Sequence, residues 1–183
     1  MGTKLLLLIT ATLATISLTT VVSPAIAIAD TTPAPSALAT FFTTFVGTWA
    51  GNGTYMQHNG WGWQTTTYRN RYTFAKLADG VWQASSVVYP FNGPAHAGST
   101  IFTIRGGDAF EAGQTGMENK LEVQSASATA ATIVSHTTDS TAAPIDIKNE
   151  LSFGTDGRYY GMTTYYRFGV MVATDNYSMS RTP

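Results

Sequence analysis

The sequence predicts an all-β fold: an antiparallel up-and-down β-barrel of eight to ten strands, with a short N-terminal helix that closes one end. Composition is the first observation, because only 11% of the residues are charged while 12% are aromatic, a balance typical of all-β proteins. The second is the period-two alternation of apolar residues after residue 45. The third is the short, even spacing of turn signals, which favours hairpins over the long connections of a Greek-key sandwich.

The individual elements follow from this alternation. Ser36 can cap a short helix that runs through Phe45. The apolar face of that helix comprises Leu38, Phe41, Phe42 and Phe45. Ten strands are predicted after it, between turns that contain Gly, Asn, Asp or Pro. They are Val46–Met56, Trp63–Lys76, Val81–Tyr89, Ser99–Arg105, Ala109–Gly113, Glu118–Gln124, Thr129–Thr137, Ile145–Phe153, Arg158–Phe168 and Val170–Arg181.

Residues 1–29 have the pattern of a secretory signal peptide. Lys4 precedes an apolar run, and Ala27 and Ala29 form a small-residue cleavage site before Asp30. A membrane anchor is the alternative interpretation, but the run is barely long enough to span a bilayer and is diluted by threonine. Residues 30–36 form a Pro/Thr/Ala linker and residues 37–183 the barrel domain. The protein is therefore expected to be exported, to the periplasm or the medium, with no stable membrane anchor after cleavage.

Charge and cysteine content exclude several classes of protein. The net charge is −1, with ten Lys and Arg against eleven Asp and Glu, which argues against a nucleic-acid partner because such partners require a concentrated basic surface. The chain has no cysteine, so disulfides are excluded and an exported domain must be held by its own core. The three histidines lack metal-ligand spacing, and no metal site is predicted.

The first and last strands carry the strongest pattern. On the first strand one face holds Gly47, Trp49, Gly51, Gly53 and Tyr55. Such a face suits the inside of a tightly curved barrel, where glycines relieve crowding or leave a void. A barrel closes by pairing its first strand with its last, so Arg181 is expected to stack on Trp49. A guanidinium on an indole contributes roughly 1–2 kcal/mol when partly desolvated.

At these residues the chain resembles a known superfamily. Gly47–Trp49 after a short helix resembles the Gly-x-Trp signature of lipocalins and their calycin relatives, and Arg181 matches the arginine that packs on that tryptophan. The longer stretch GTWAGNG is more similar still to the opening strand of nitrobindin-type barrels. Nitrobindins ligate haem through a histidine whose place, seven residues before Arg181, is taken here by Thr174. The resemblance therefore implies a lipocalin-like scaffold without haem, and no cofactor is predicted.

Candidate ligand contacts lie along the expected inner faces and at the expected open rim. Arg167 either faces solvent or points inward to hold a ligand carboxylate. Asp175 either pairs with an arginine in the core or acts as a polar anchor for a ligand. His96 is placed in a Gly- and Pro-rich loop of the kind that forms the mouth of a barrel. The predicted ligand-binding residues are Trp49, Tyr55, Trp63, Tyr72, Tyr89, His96, Tyr166, Arg167, Asp175, Tyr177 and Arg181.

These features predict a carrier: an exported barrel that binds a small hydrophobic or amphipathic molecule by removing its apolar surface from water. The alternative is a small barrel enzyme of the lyase or isomerase type, which would use Asp, Tyr and Arg groups inside the cavity for proton transfer. No catalytic residue is assigned, because no catalytic motif is present. A barrel filled by its own side chains, with a structural role, is a third interpretation.

Overall fold

A computed structural model describes residues 34–113, 116–139 and 141–183. Within them, ten antiparallel strands form a closed barrel in which each strand pairs with the next along the chain and the tenth pairs with the first. The predicted up-and-down barrel is therefore confirmed. The predicted signal peptide, residues 1–29, lies outside the described residues, as do residues 30–33 of the predicted linker.

One helix precedes the strands, and their bounds lie close to those predicted. They are α1 (Ala34–Phe45), β1 (Gly47–His58), β2 (Trp63–Ala78), β3 (Val81–Pro90), β4 (His96–Arg105), β5 (Asp108–Ala112), β6 (Glu118–Ala126), β7 (Ala130–Thr138), β8 (Pro144–Phe153), β9 (Tyr159–Arg167) and β10 (Val170–Arg181). The helix includes residues 34–36 of the predicted linker. Strand β4 begins at His96 rather than Ser99, because His96 and Ala97 still pair with Val88 and Val87 of β3. The loop assignment of His96 was therefore wrong.

Helix α1 packs into one end of the barrel, which we call the closed half. Its predicted apolar face is fully buried: Leu38, Phe41, Phe42 and Phe45 are each at most 3% exposed. The Phe42 ring lies 5.4 Å from the Trp82 ring and 5.1 Å from the Phe102 ring, between centroids. Aromatic contacts of this kind add to the burial of apolar surface. The closed half is therefore filled by side chains.

The seam between β1 and β10 has the predicted register. Trp49 lies opposite Arg181, and the guanidinium carbon of Arg181 is 5.3 Å from the centroid of the Trp49 ring. Arg181 Nη2 also donates a hydrogen bond to the carbonyl of Val46, and Trp49 Nε1 donates to the carbonyl of Phe45 at 2.9 Å. These bonds tie the last strand and the helix end to the base of the barrel.

The opposite end, which we call the open half, has a different interior. Its apolar cluster consists of Tyr55, Tyr68, Val88, Ile147, Tyr165 and Ala173, and it shares no buried residue with the larger cluster of the closed half. Among the described residues, no helix combines the length and the apolar character that crossing a bilayer requires.

Candidate functional site

A buried carboxylate lies in the interior at the level where the two halves meet. Asp175 of β10 is 7% exposed, and its Oδ1 accepts a hydrogen bond of 2.7 Å from the hydroxyl of Tyr68. None of the ion pairs among the described residues includes Asp175. Of the two roles considered for Asp175, pairing with an arginine is therefore not the one that the described residues show, because a tyrosine hydroxyl is its partner.

The glycine pattern of β1 explains how Tyr68 reaches this carboxylate. Tyr68 lies on β2 and Asp175 on β10, with β1 between them. Gly53 of β1 is paired with Tyr68, and a β-carbon at Gly53 would lie 2.1 Å from Cζ of that ring. The missing side chain therefore lets the tyrosine lean across β1. Of the two roles predicted for these glycines, relief of crowding is the one that Gly53 performs.

Three further tyrosines surround the carboxylate. Tyr55 lies directly opposite Asp175 across the seam, and the Tyr55 and Tyr165 rings are 6.2 Å apart in an edge-to-face arrangement. Burial and the nearby Asp175 raise the pKa of Tyr55 to about 12. Burial also raises the pKa of Tyr177 to about 12, with a further contribution from Asp175, and that of Tyr165 well above its usual range. These phenols therefore stay neutral at physiological pH.

The protonation of Asp175 itself is unusual. Burial raises the pKa of Asp175 to about 7, although the hydrogen bond from Tyr68 acts in the opposite direction. A carboxyl with this pKa is protonated in about half of the molecules at neutral pH. Such a group can accept or donate a proton, or bind a cation, under physiological conditions.

Polar side chains continue around the interior from Asp175. Thr163 of β9 lies opposite Asp175, and its hydroxyl donates a 2.8 Å hydrogen bond to Oδ1 of Asn149. Several buried polar atoms have no hydrogen-bond partner within the described residues; they include Asn149 Nδ2, Ser135 Oγ, Asn70 Oδ1 and His96 Nε2. Buried polar groups are normally paired, so this lining offers donors and acceptors to a bound molecule.

The rim of the open half is apolar. Trp61 is 97% exposed, Phe91 83% and Phe168 73%, and they lie in three different loops at this end. The same rim carries the exposed Trp63, Val170 and Met171. A concentration of exposed apolar side chains at one end is typical of a surface that contacts another molecule.

The structure brings together only part of the predicted set of contacts. Tyr55, Asp175 and Tyr177 meet in the interior. His96 begins β4 at the open end, and Trp63 lies on the rim, where its ring packs edge-on against His58. Four of these positions remain compatible with a ligand in the open half, whereas Tyr177 belongs to the filled cluster of the closed half.

The other predicted contacts lie elsewhere. Trp49 and Tyr72 belong to the filled closed half, and Arg181 lies at its base against Trp49. Tyr166 occupies an outward-facing position of β9, because the adjacent Tyr165 is the buried one. Tyr89, predicted for the rim, lies near the open end of β3 and faces outward beside the buried Val88. Outward residues cannot line the interior.

Of the two orientations considered for Arg167, the structure shows the outward one, with a partly exposed guanidinium that is paired with a loop. Its Nη2 lies 3.1 Å from Oδ2 of Asp139 and donates a 2.9 Å hydrogen bond to the Thr141 hydroxyl. The guanidinium therefore ties the end of β9 to the β7–β8 loop. An arginine already paired with a carboxylate has a reduced capacity to bind a ligand anion.

A depression lies on the outer wall of the barrel. It is an open groove of about 1080 Å³, lined mainly by outward-facing residues of β7 to β10 and β1 to β3, and it also reaches Tyr68 and Tyr177. Its apolar lining includes Tyr89, Phe91, Tyr160 and Met162, and Asn176 lies near its middle. A binding experiment must therefore separate the interior from this outer groove.

Among the described residues, no group of three or more His, Cys, Asp or Glu side chains is arranged to hold a metal ion. Thr174, the position at which the resemblance to nitrobindins places the haem histidine, lies on the outward-facing side of β10 between the buried Ala173 and Asp175. A histidine there would point away from the interior, so the prediction of a haem-free barrel stays a prediction.

Sequence reasoning missed the hydrogen-bonding partners of the site. Tyr68, Tyr165, Thr163 and Asn149 were not among the predicted contacts, although all four are buried. The alternation in β2 already places Tyr68 on the face opposite Arg69 and Arg71. That signal could have identified Tyr68 as an inward residue, but not Asp175 as its partner.

Comparison with known proteins supports the fold. No protein-family model matches the chain, and no curated protein matches it. Among solved structures, the S-type phycobiliprotein lyase CPES from Guillardia theta is similar with a TM-score of 0.55 and 13% identity, over 82% of this chain and 96% of that chain. The Rv2717c protein from M. tuberculosis is similar with a TM-score of 0.47 and 14% identity, over 84% of this chain and 100% of that chain. At this identity the likeness to the lyase concerns the fold alone, and the fold of this chain is a closed, ten-stranded antiparallel barrel.

Proposed function

We propose that the barrel binds one small amphipathic molecule in the open half of its interior. The observation that carries this proposal is the contrast between the two halves. The closed half is filled by stacked aromatic side chains, whereas the boundary with the open half holds the buried carboxylate of Asp175, which pairs with no cationic side chain of the described residues. An apolar rim leads into it. Each Å² of apolar ligand surface that leaves water at this rim contributes roughly 25 cal/mol to the free energy of binding.

The route to the carboxylate passes Ala173. This residue is the inward side chain of β10 next to Asp175 on the side of the open end, and it pairs with Tyr165 of β9. A side chain larger than this methyl group would extend into the interior over Asp175. Access to the site can therefore be blocked at Ala173.

We expect Ala173→Phe to weaken binding of the neutral fluorophore Nile red at least tenfold, because the added ring occupies the interior above Asp175. The matched control is Asn176→Phe, which adds the same ring to the outer groove and should leave the affinity within about twofold. Fluorescence titration measures both affinities. Loss of binding only in Asn176→Phe would move the site to the outer wall. Absence of saturable binding to the unsubstituted protein would refute the carrier proposal.

A second candidate function is catalysis of the lyase or isomerase type. The observation that favours it is the carboxyl of Asp175, whose pKa of about 7 lies where a general acid or base works best. The likeness in fold to a phycobiliprotein lyase motivates a linear tetrapyrrole as the test compound. A carrier returns this compound unchanged after incubation, whereas an enzyme returns product, and chromatography of the recovered compound distinguishes the two.

We also propose that the barrel works outside the cytoplasm, after removal of residues 1–29. The order of charge, apolar run and small-residue site in the sequence supports this proposal. Expression of the full chain in a bacterial host with an intact export pathway should yield a mature protein that begins at Asp30, as measured by intact mass. Recovery of the uncleaved chain from the cytoplasm would contradict it.

A further inference from the structure

The buried carboxylate of Asp175 has an incomplete set of partners. Its Oδ1 accepts the Tyr68 hydrogen bond, while Oδ2 accepts no hydrogen bond from the described residues. No cationic side chain of the described chain forms an ion pair with it. Burying a carboxylate is costly unless it is paired with a cation or well hydrogen-bonded. A bound molecule that supplies a positive charge would therefore complete this site.

Aromatic rings around the carboxylate favour the same kind of molecule. Four tyrosines lie near Asp175. Tyr68 donates its hydroxyl hydrogen bond to it, Tyr55 is its cross-strand partner, the Tyr165 ring packs against that of Tyr55, and Tyr177 is the next inward residue of β10. The face of an aromatic ring attracts a cation, and the attraction is strongest where water is excluded. A carboxylate within a group of tyrosine rings therefore suits a cationic nitrogen attached to an apolar body.

We propose that the molecule bound by this barrel carries a protonated amine, and that its nitrogen lies beside Oδ2 of Asp175 among the surrounding tyrosine rings. This inference rests on the proposed function, and it names the class of ligand. An anionic ligand would meet a carboxylate in a medium of low dielectric constant, where like charges repel strongly. A neutral ligand would leave the carboxylate without its cation.

Three probes of equal size test the charge requirement: 1-naphthylmethylamine, 1-naphthalenemethanol and 1-naphthoic acid. We expect the purified protein at pH 8 to bind the amine at least tenfold more tightly than the alcohol, and the acid most weakly of the three. Isothermal titration calorimetry measures all three affinities. The alcohol reports on the apolar pocket alone, so it separates the pocket from the recognition of charge.

The variant Asp175→Asn removes the charge and keeps the shape of the side chain. We expect it to bind the amine and the alcohol with equal affinity, and the alcohol within about twofold of the unsubstituted protein. The matched control is Asp79→Asn, at a fully exposed carboxylate in the β2–β3 turn, which should keep the tenfold preference. Equal binding of amine and alcohol to the unsubstituted protein, or a preference that survives in Asp175→Asn, would overturn the amine assignment and leave the proposed pocket intact. Failure of all three probes to bind would overturn both.

Discussion

Replacing Gly51 by alanine is expected to lower the free energy of unfolding by about 3 kcal/mol or more, the upper range for overpacking a tight site. A β-carbon at Gly51 would lie 1.9 Å from the backbone oxygen of Ser178 and 2.7 Å from Cα of Met179. Both atoms belong to β10, which pairs with β1 along the seam. Backbone atoms within a hydrogen-bonded ladder cannot move aside singly, so the new methyl group must push the two strands apart. Urea denaturation measures the loss.

Gly53 provides the matched control for this prediction. It lies two residues further along the same inward face, but a β-carbon there would meet the ring end of Tyr68 rather than backbone. A side-chain ring can rotate away at the cost of its hydrogen bond to Asp175, so we expect Gly53→Ala to cost about 1–3 kcal/mol, less than Gly51→Ala. Equal losses in the two variants would show that backbone contact at the seam is not what requires Gly51. The two glycines thus serve closure of the barrel and passage of Tyr68, respectively.

The fold was predictable because its determinants are local. Alternation and turn residues define hairpins one at a time, and an up-and-down barrel is a series of hairpins. Closure of the barrel depends on one long-range contact, the pairing of the first strand with the last. The sequence supplied it through Trp49 and Arg181, whose stacking the structure confirms. Strand bounds differ mainly where backbone pairing extends past a turn signal, as at His96.

The site was harder to predict because it depends on which face of each strand points into the barrel. It also depends on which inward residues lie at the same height along the barrel axis. In β3 the consecutive Val87 and Val88, and in β9 the consecutive Tyr165 and Tyr166, give no alternation from which to choose the inward residue. Tyr166 was therefore assigned to the interior, although Tyr165 is the buried one. Alternation identifies faces, but the level at which inward residues meet depends on the stagger of the strands.

Tyr68 and Asp175 illustrate this limit. They are separated by 107 positions in the chain and by one whole strand in the sheet, yet they share a 2.7 Å hydrogen bond. Only the absence of a side chain at Gly53 permits the contact. The sequence pattern indicates that a glycine is needed at this position. It does not indicate that the Tyr68 ring is the group that crosses β1 there.

Asp175→Asn is expected to stabilise the ligand-free protein above pH 7 while changing its stability little at pH 4. The folded state holds the pKa of Asp175 near 7, against 3.8 for an ordinary aspartate. Between these values the folded chain binds a proton that the unfolded chain has released, so stability falls as pH rises and levels off above 7. Ionisation of the buried carboxyl lowers the free energy of unfolding by up to about 4 kcal/mol. Asparagine cannot ionise and still accepts the hydrogen bond from Tyr68.

Urea denaturation of the variant and the unsubstituted protein from pH 4 to pH 9 tests this prediction, because other titrating groups contribute equally to both chains and cancel in the difference. The tyrosines that face Asp175 stay neutral over this range, since burial raises their pKa values. Parallel pH profiles would contradict the prediction. If the two pH profiles differ in this way, the ionised Asp175 lowers the free energy of unfolding of the ligand-free barrel at neutral pH. A protein keeps such a destabilising residue where a bound ligand offsets the lost stability. Adding 1-naphthylmethylamine at pH 8 should then stabilise the unsubstituted protein more than Asp175→Asn, so that stability and binding report on the same carboxylate.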